Sequence, residues 1–313
     1  MFLIRRNIVK VKRLVSSDLN GWPRTDANAI LITEILLMSA FFIMNACDAT
    51  LHQMGVGHYK DVAFSNPVSQ FLMPLFAGHS EAKLIFIERF CWWFHLTGII
   101  AFLNYIPYSK HFHILLAFPN VFFSNLKPKG QFTNLESVTN EVKAMFDPSF
   151  TPPAADPNNP MRFGAKDVAD LSWKQLMDAY TCTECGRCTS SCPANITGKL
   201  LSPRKIMMST RDRLEEVGKN IDKNGTFKDD GKSLLGDYIT PEELWACTSC
   251  NACVQECPVN IDPLSIITDM RRFIVMEQSA APTELNMMFN NVENNGAPWQ
   301  FSQADRLNWK NEQ

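Results

Sequence analysis

The chain has 313 residues, 46% of them apolar and 20% charged, with a formal net charge of −2. That balance excludes a disordered tail and a protein that grips nucleic acid by bulk positive charge, while the length suits two domains. Ten cysteines are too few for a disulfide-dense secreted scaffold, and eight of them stand in two compact groups, the pattern of metal ligation in a reducing compartment. The mean hydropathy of −0.12 averages a strongly apolar first third with a polar remainder.

Residues 1–26 form a basic segment with Arg5, Arg6, Lys10, Lys12 and Arg13, and no signal-peptide apolar region precedes these charges. A membrane domain is expected over 27–126. Its first span, about 29–50, includes a run from Ala29 to Cys47 with one formal charge, Glu34; its second, about 83–106, is interrupted only by Glu88, Arg89 and His95 and ends at Pro107. Each run suffices for a hydrocarbon core of roughly 30 Å. The bland alternative is a pair of core helices in a soluble protein. Ile114–Phe123, broken by Pro119-Asn120, is too short to span and reads as interfacial or re-entrant.

Basic residues flank the outer ends of both spans, with Lys110, Lys127 and Lys129 after the second, whereas the loop between them is charge-balanced. The positive-inside rule then puts both ends in the cytoplasm, which predicts a multi-pass protein of the cytoplasmic (inner) membrane with its soluble part on the cytoplasmic side. A basic opening of this kind normally follows a span, so a further helix ahead of Met1 is left open.

Polar groups at membrane depth are costly in lipid and are expected to face a partner or a cavity. Glu34, Asn45, Glu88, Arg89 and Asn104 qualify, and Glu34 is a candidate for quinone or proton chemistry against the alternative of a structural hydrogen bond. Glu88 and Arg89, adjacent on a helix, are expected to point apart. Cys47 and Cys91 read as packing residues, as do Trp92, Trp93 and Phe94.

An amphipathic segment and a linker are expected over 127–160, the latter with five prolines between 147 and 160. Beyond it, Ser202-Pro203 opens a helix that Gly218 is expected to stop, Thr240-Pro241 with Glu243 forms a capping box, and Asp262-Pro263 opens another helix. Strand alternation is absent from 161–313. The predicted fold class is all-α: transmembrane helices followed by an α-helical ferredoxin domain over 161–313. Met207, Met208, Met287 and Met288 are expected in its core. Trp299 and Trp309 either anchor a partner or pack back on the domain, and Arg211, Arg271 and Arg272 lie on solvent faces or beside the cysteine groups.

The chemistry lies in Cys182-x2-Cys185-x2-Cys188-x3-Cys192-Pro193 and its repeat Cys247-x2-Cys250-x2-Cys253-x3-Cys257-Pro258. Both follow the ligand run for [4Fe–4S] clusters, in which three thiolates wrap one cluster and the fourth, before proline, serves the other. The expected sets are Cys182, Cys185, Cys188 and Cys257 for cluster 1, and Cys192, Cys247, Cys250 and Cys253 for cluster 2. Zinc sites more often divide four thiolates into two separated pairs. The 54 residues between Cys192 and Cys247 carry helix signals, which favours a helical ferredoxin over the compact β type.

The stretches DLSWKQLMDAYTCTECGRCTSSCPANITGKLLSPRKI, LWACTSCNACVQECPVNIDPLSIITDMRR and PWQFSQADRLNW resemble the iron–sulfur half of heterodisulfide reductase D-type oxidoreductases. That group includes membrane-bound electron-transfer-flavoprotein:quinone oxidoreductases and the C-type iron–sulfur subunit of glycerol-3-phosphate dehydrogenase. Its members usually continue into Cys-Cys-Gly domains. No Cys-Cys-Gly run occurs here, so the resemblance implies that a partner subunit or another redox protein supplies the catalytic module. The run WWFHLTGIIAFLNYIPYSKHFH resembles the haem b subunit of nitrate reductases, which implies His95 and His113 as ligands of two different haems. Each would need an axial partner from another helix, and the first span contains no histidine. The reading stays open between haem and polar packing, quinone contact or proton relay.

No GxGxxG or GxxxxGK[ST] run is present, which puts flavin or nicotinamide chemistry elsewhere. The function expected is a membrane-bound electron-transfer subunit joining a cytoplasmic partner to the membrane quinone pool, with no nucleic-acid role. The alternatives are a membrane-tethered redox sensor and a scaffold that clusters merely fold.

Overall fold

The computed structural model describes residues 1–61, 66–128, 130–151, 153 and 162–311. Lys129 and most of the proline-rich stretch fall outside them. The described residues are helical throughout, apart from loops and one isolated bridge between Leu235 and Ile239, and they contain no strand. The chain divides into two compact units. The first comprises Met1–Ser124, Met177–Ser190 and Pro258–Ile261; the second comprises Asn125–Leu176, Ser191–Cys257 and Asp262–Gln313.

The first unit is built on two long helices, Trp22–Gln53 and Glu81–Tyr105, each long and apolar enough to cross a membrane. At ~1.5 Å per residue they exceed a hydrocarbon core of about 30 Å. Asp26 meets Tyr105 at one end, Leu37 meets His95 midway, and Cys47 and Leu51 pack with Leu84 at the other, which makes the pair an antiparallel hairpin. Gly98 permits the mid-helix approach, because a Cβ there would stand 2.4 Å from the Leu37 side chain. Cys47 and Cys91 are buried, as expected of packing residues. Trp92, Trp93 and Phe94 are not: they face outward with Phe86 and Leu103. A helix apolar all round that leaves such side chains uncovered matches a lipid-facing surface better than the core of a soluble protein.

Glu88 and Arg89 do pair, at 3.1 Å, contrary to the expectation from their adjacency. The Arg89 arm is long enough to swing back over the turn, and the Glu88 carboxylate also accepts from the Tyr59 hydroxyl at 3.2 Å. The segment after Pro107 forms a ten-residue helix, His113–Phe122, with Pro119 inside it.

The second unit packs Pro203–Asn224 against Pro263–Met276 over Ile206, Met207, Ile266, Ile267 and Met270. The starts fall where the caps place them. Ser202 accepts from Lys205 N–H, Thr240 and Glu243 exchange the two bonds of a capping box, and Asp262 accepts from Ser265 N–H. Gly218 does not stop its helix, which continues to Asn224 and ends at Gly225 with φ of 79°. An interior glycine costs only about 1 kcal/mol, whereas Gly225 supplies the left-handed residue a helix end uses. Met207 and Met208 are core as expected, but Met287 is exposed and Met288 half-buried; Trp299 and Trp309 also stay exposed.

Arg213 organises this unit. Its guanidinium, with no exposed side-chain surface, donates to both oxygens of Asp167, to both oxygens of Asp230 and to the Lys232 carbonyl. Asp167 in turn caps the Val168–Asp170 turn and accepts from Leu234 N–H at 3.1 Å. One buried cation thereby ties two loops to a helix.

Arg213→Ala should remove about 3–5 kcal/mol, the penalty for leaving buried charges unpaired, and lower the urea midpoint. Hydrogen bonds from Arg213 hold the Asp230 carboxyl down at about 2, from a usual 3.8. A depressed carboxylate stabilises fully above its unfolded value, so its contribution should persist above about pH 4 and vanish as pH falls towards 2. A pH series of urea midpoints for the wild type and Asp230→Asn should converge over that interval.

Candidate metal centre

The two cysteine loops repeat one backbone course. In the first, Glu184 and Gly186 have φ of 57° and 74°; in the second, the matching Ser249 and Asn251 have 56° and 59°. Three of these four residues are not glycine, and such a conformation is strained unless the surroundings demand it. Left-handed residues set among right-handed ones turn backbone N–H groups into a concavity of the kind that binds anions, iron–sulfur groups among them. Ser249 N–H accordingly donates to the Cys247 sulfur at 3.4 Å. A short helix follows each loop, Arg187–Ser190 and Ala252–Gln255, and Pro193 and Pro258 come directly after the fourth cysteines.

Cys182, Cys192 and Cys253 are buried, Cys185, Cys188, Cys247 and Cys257 half-buried, and Cys250 exposed. Within the second unit, Cys192 and Cys250 both lie near enough to Cys247 to act on its ionisation. Burial pushes the Cys247 thiol up, and those neighbours add to the rise, while Ser249 N–H and the Arg271 cation pull it back. Among the described residues, no group of three or more His, Cys, Asp or Glu side chains is drawn in as tightly as single-ion ligands would be. A cuboidal cluster holds its thiolates further apart than one ion does, and the paired left-handed loops, with an N–H directed at sulfur in the second, suit that larger anionic group.

Arg271 stands beside the second loop. It donates to the Leu244 carbonyl and, at 2.5 Å, to that of Cys247, and its guanidinium lies 5.0 Å from the Trp245 ring. This is the cysteine-side placement of the two alternatives for it. Arg272 pairs with Asp269, and Arg211 with Asp212.

Of the candidates in the apolar unit, Glu34 and His113 both meet His111, while His95 lies against Leu37 and Phe41. His95 Nδ1–H donates to the Leu37 carbonyl at 2.9 Å, and its ring lies against Phe41. His113 Nδ1–H donates to the Lys110 carbonyl at 2.9 Å, and its ring meets that of His111. Because each acceptor is a carbonyl, Nδ1 carries the proton in each bond. Glu34 lies 3.4 Å from His111 Nε2, so its partner is a histidine that spacing did not single out. Asp26, Lys110 and Asn120 were also missed. The only signals for them were a polar residue at a span's edge and an asparagine in an apolar run.

Residues 181–261 match the family described as "4Fe-4S dicluster domain". The chain is 29% identical to the "Probable iron-sulfur-binding oxidoreductase FadF" of Bacillus subtilis over 91% of its own length, and 27% identical to the "EtfAB:quinone oxidoreductase" of Syntrophomonas wolfei over 94%. It spans 41% of the length of each of these relatives. A "Probable membrane-anchored ferredoxin" of Chromohalobacter salexigens is 33% identical over 47% of this chain and 24% of its own. The D-type subunit of a heterodisulfide reductase of Methanosarcina mazei matches more distantly, at 25% identity over 46% of this chain and 35% of its own. No solved structure matches. The chain thus carries a 4Fe–4S domain and is similar to iron–sulfur oxidoreductases of the FadF and D-type heterodisulfide reductase kinds.

Asn251→Gly should retain iron, because glycine adopts φ near 59° freely, whereas Asn251→Val should lose one cluster's complement, since a β-branched residue resists that conformation. Iron and acid-labile sulfide per chain, measured anaerobically, distinguish the two.

Proposed function

We propose that this chain is a membrane-bound electron-transfer subunit that passes single electrons between a soluble cytoplasmic partner and the membrane quinone. The observation that carries it is the pair of matched cysteine loops on a chain that also holds a lipid-facing helical hairpin. Two [4Fe–4S] clusters would take up and release one electron at a time. Cys182, Cys185, Cys188 and Cys257 would hold cluster 1, and Cys192, Cys247, Cys250 and Cys253 cluster 2. The influence of Cys192 on Cys247 supports this crossed assignment for cluster 2.

This chain's residues do the rest. The loop N–H groups stabilise negative charge on the clusters, Arg271 offsets charge at Cys247, and the exposed Cys250 brings one ligand within a partner's reach. Quinone as the membrane carrier is supported by the acceptor in the name of the S. wolfei relative, and membrane attachment by the hairpin and the anchored ferredoxin. The basic flanks orient both ends to the cytoplasm. The partner proposed is a Cys-Cys-Gly-domain subunit or another redox protein, a reading supported by the heterodisulfide reductase relatives, whose names describe them as subunits.

A second reading adds b-type haem on His95 and His113. The Nδ1 bonds to backbone carbonyls favour it, because haem- and metal-binding histidines are held in that way.

An anaerobic reduced-minus-oxidised spectrum of detergent-purified protein should show a broad iron–sulfur bleach, with sharp bands in addition only where haem is bound. Cys253→Ser should leave a folded, helical protein whose reoxidation by a short-chain quinone is lost. An unfolded variant would point to a scaffold. A folded variant that keeps its quinone reaction but loses partner binding would point to a sensor.

A further inference from the structure

One end of the hairpin carries a chain of buried polar groups. Asp26 accepts from the Tyr105 hydroxyl at 2.5 Å and from Lys110 N–H at 3.0 Å. The Lys110 side chain, 9% exposed, donates to the Pro23 carbonyl at 2.6 Å and forms an ion pair with Glu184, whose carboxylate is 2% exposed. Glu184 stands between Cys182 and Cys185. Asn120, fully buried on the short helix His113–Phe122, donates to the Val259 carbonyl at 2.9 Å, two residues beyond Cys257. The Lys12–Leu14 turn packs on Arg187–Ser190, the helix containing Cys188. All of these groups belong to the unit that contains the membrane hairpin.

These contacts fall on the loop of Cys182, Cys185 and Cys188 and on Val259, two residues after Cys257. The loop of Cys247, Cys250 and Cys253, with Cys192, lies wholly in the other unit. A lysine and a carboxylate are both buried here at the end of a span, and a buried charge that loses its partner is strongly destabilising, so the pair fixes the loop against the hairpin.

We propose that cluster 1 is the membrane-side terminus of the wire, seated on the cytoplasmic end of the hairpin by Lys110 and Asn120, and that it exchanges electrons with the quinone. This rests on the electron-transfer reading above and gives it a direction in space. Cluster 2 then serves the soluble partner. Held by these residues, cluster 1 would supply single electrons: a quinone taking up two of them with two protons from the aqueous side would become a quinol, and the partner would be oxidised by the same two electrons. In reverse, a quinol gives up two electrons and two protons.

Lys110 is a positioning residue, and its charge also acts on the cluster. Glu184→Gln removes a negative charge and should raise the midpoint potential of one cluster only. Lys110→Met should lower the potential of that same cluster, and Lys110→Arg should restore it. Ser249→Asp, at the matching place in the second loop, should lower the other cluster and so assign the two signals should a hairpin variant fail to fold.

The full-length protein is then placed in nanodiscs whose lipids carry gadolinium-chelate headgroups, and each cluster's electron paramagnetic resonance relaxation is measured. The signal shifted by Glu184→Gln should relax faster than the one shifted by Ser249→Asp. Equal relaxation, faster relaxation of the Ser249→Asp signal, or no enhancement of either overturns the proposal. Reoxidation of the reduced wild type by a short-chain quinone is followed separately. Its absence sinks the quinone reading while the relaxation result still decides where cluster 1 sits.

Discussion

A seven-residue coil with cysteines at intervals of three, found twice, sets terms for much of this chain. On a regular helix cysteines at intervals of three would be strung along one side, ~9 Å from first to third, instead of converging, so the backbone leaves helical geometry and returns to it within a few residues. Both loops do this with left-handed residues at the same two positions, although only one of the four is glycine. Strain of that kind persists only where the surroundings over-determine it. The surroundings do so in both loops: Glu184 is tied to Lys110 beside the first, while Arg271 grips the carbonyls of Leu244 and Cys247 beside the second.

What was legible in the sequence was what depends on neighbours along the chain. Caps at Ser202, Thr240 and Asp262, the repeated cysteine spacing and the two apolar runs are local signals, and each corresponds to a feature of the fold. The departures occur where a local rule met a stronger or more distant term. Gly218 is a weak helix breaker because its neighbours continue to hydrogen-bond, and termination waits for Gly225. Glu88 and Arg89 pair because flexible side chains override the angle between their backbones. Met287 lies outside the core because helical spacing defines a stripe without saying whether anything covers it.

The polar networks were the least legible. Arg213 joins residues far apart in sequence, and nothing in the local pattern around Asp167 or Asp230 marks them as its partners. The same holds for Asp26, Tyr105, Lys110 and Glu184, which come from separate stretches of one unit. The cysteine ligands could be read because a cluster imposes short, regular spacing. The groups that seat a cluster are chosen by tertiary position and leave almost no periodic trace.

The two ends of the hairpin are closed by different mixtures of contact. At the Leu51 end an apolar seam of Cys47, Leu51, Tyr59 and Leu84 is joined by a short polar tie, in which the buried Glu88 carboxylate accepts from the Tyr59 hydroxyl and pairs with Arg89. At the Asp26 end the closure is directional: a phenol, a carboxylate, a backbone N–H and an ammonium each require their partner at hydrogen-bond distance. A slip of one residue would leave a buried charge unpaired there, a penalty that apolar contact area does not carry. Electron transfer falls steeply with distance, so a redox centre that works with a carrier confined to the bilayer gains most from fixed depth. The closure built on Asp26, Lys110 and Glu184 lies at the end joined to the first cysteine loop.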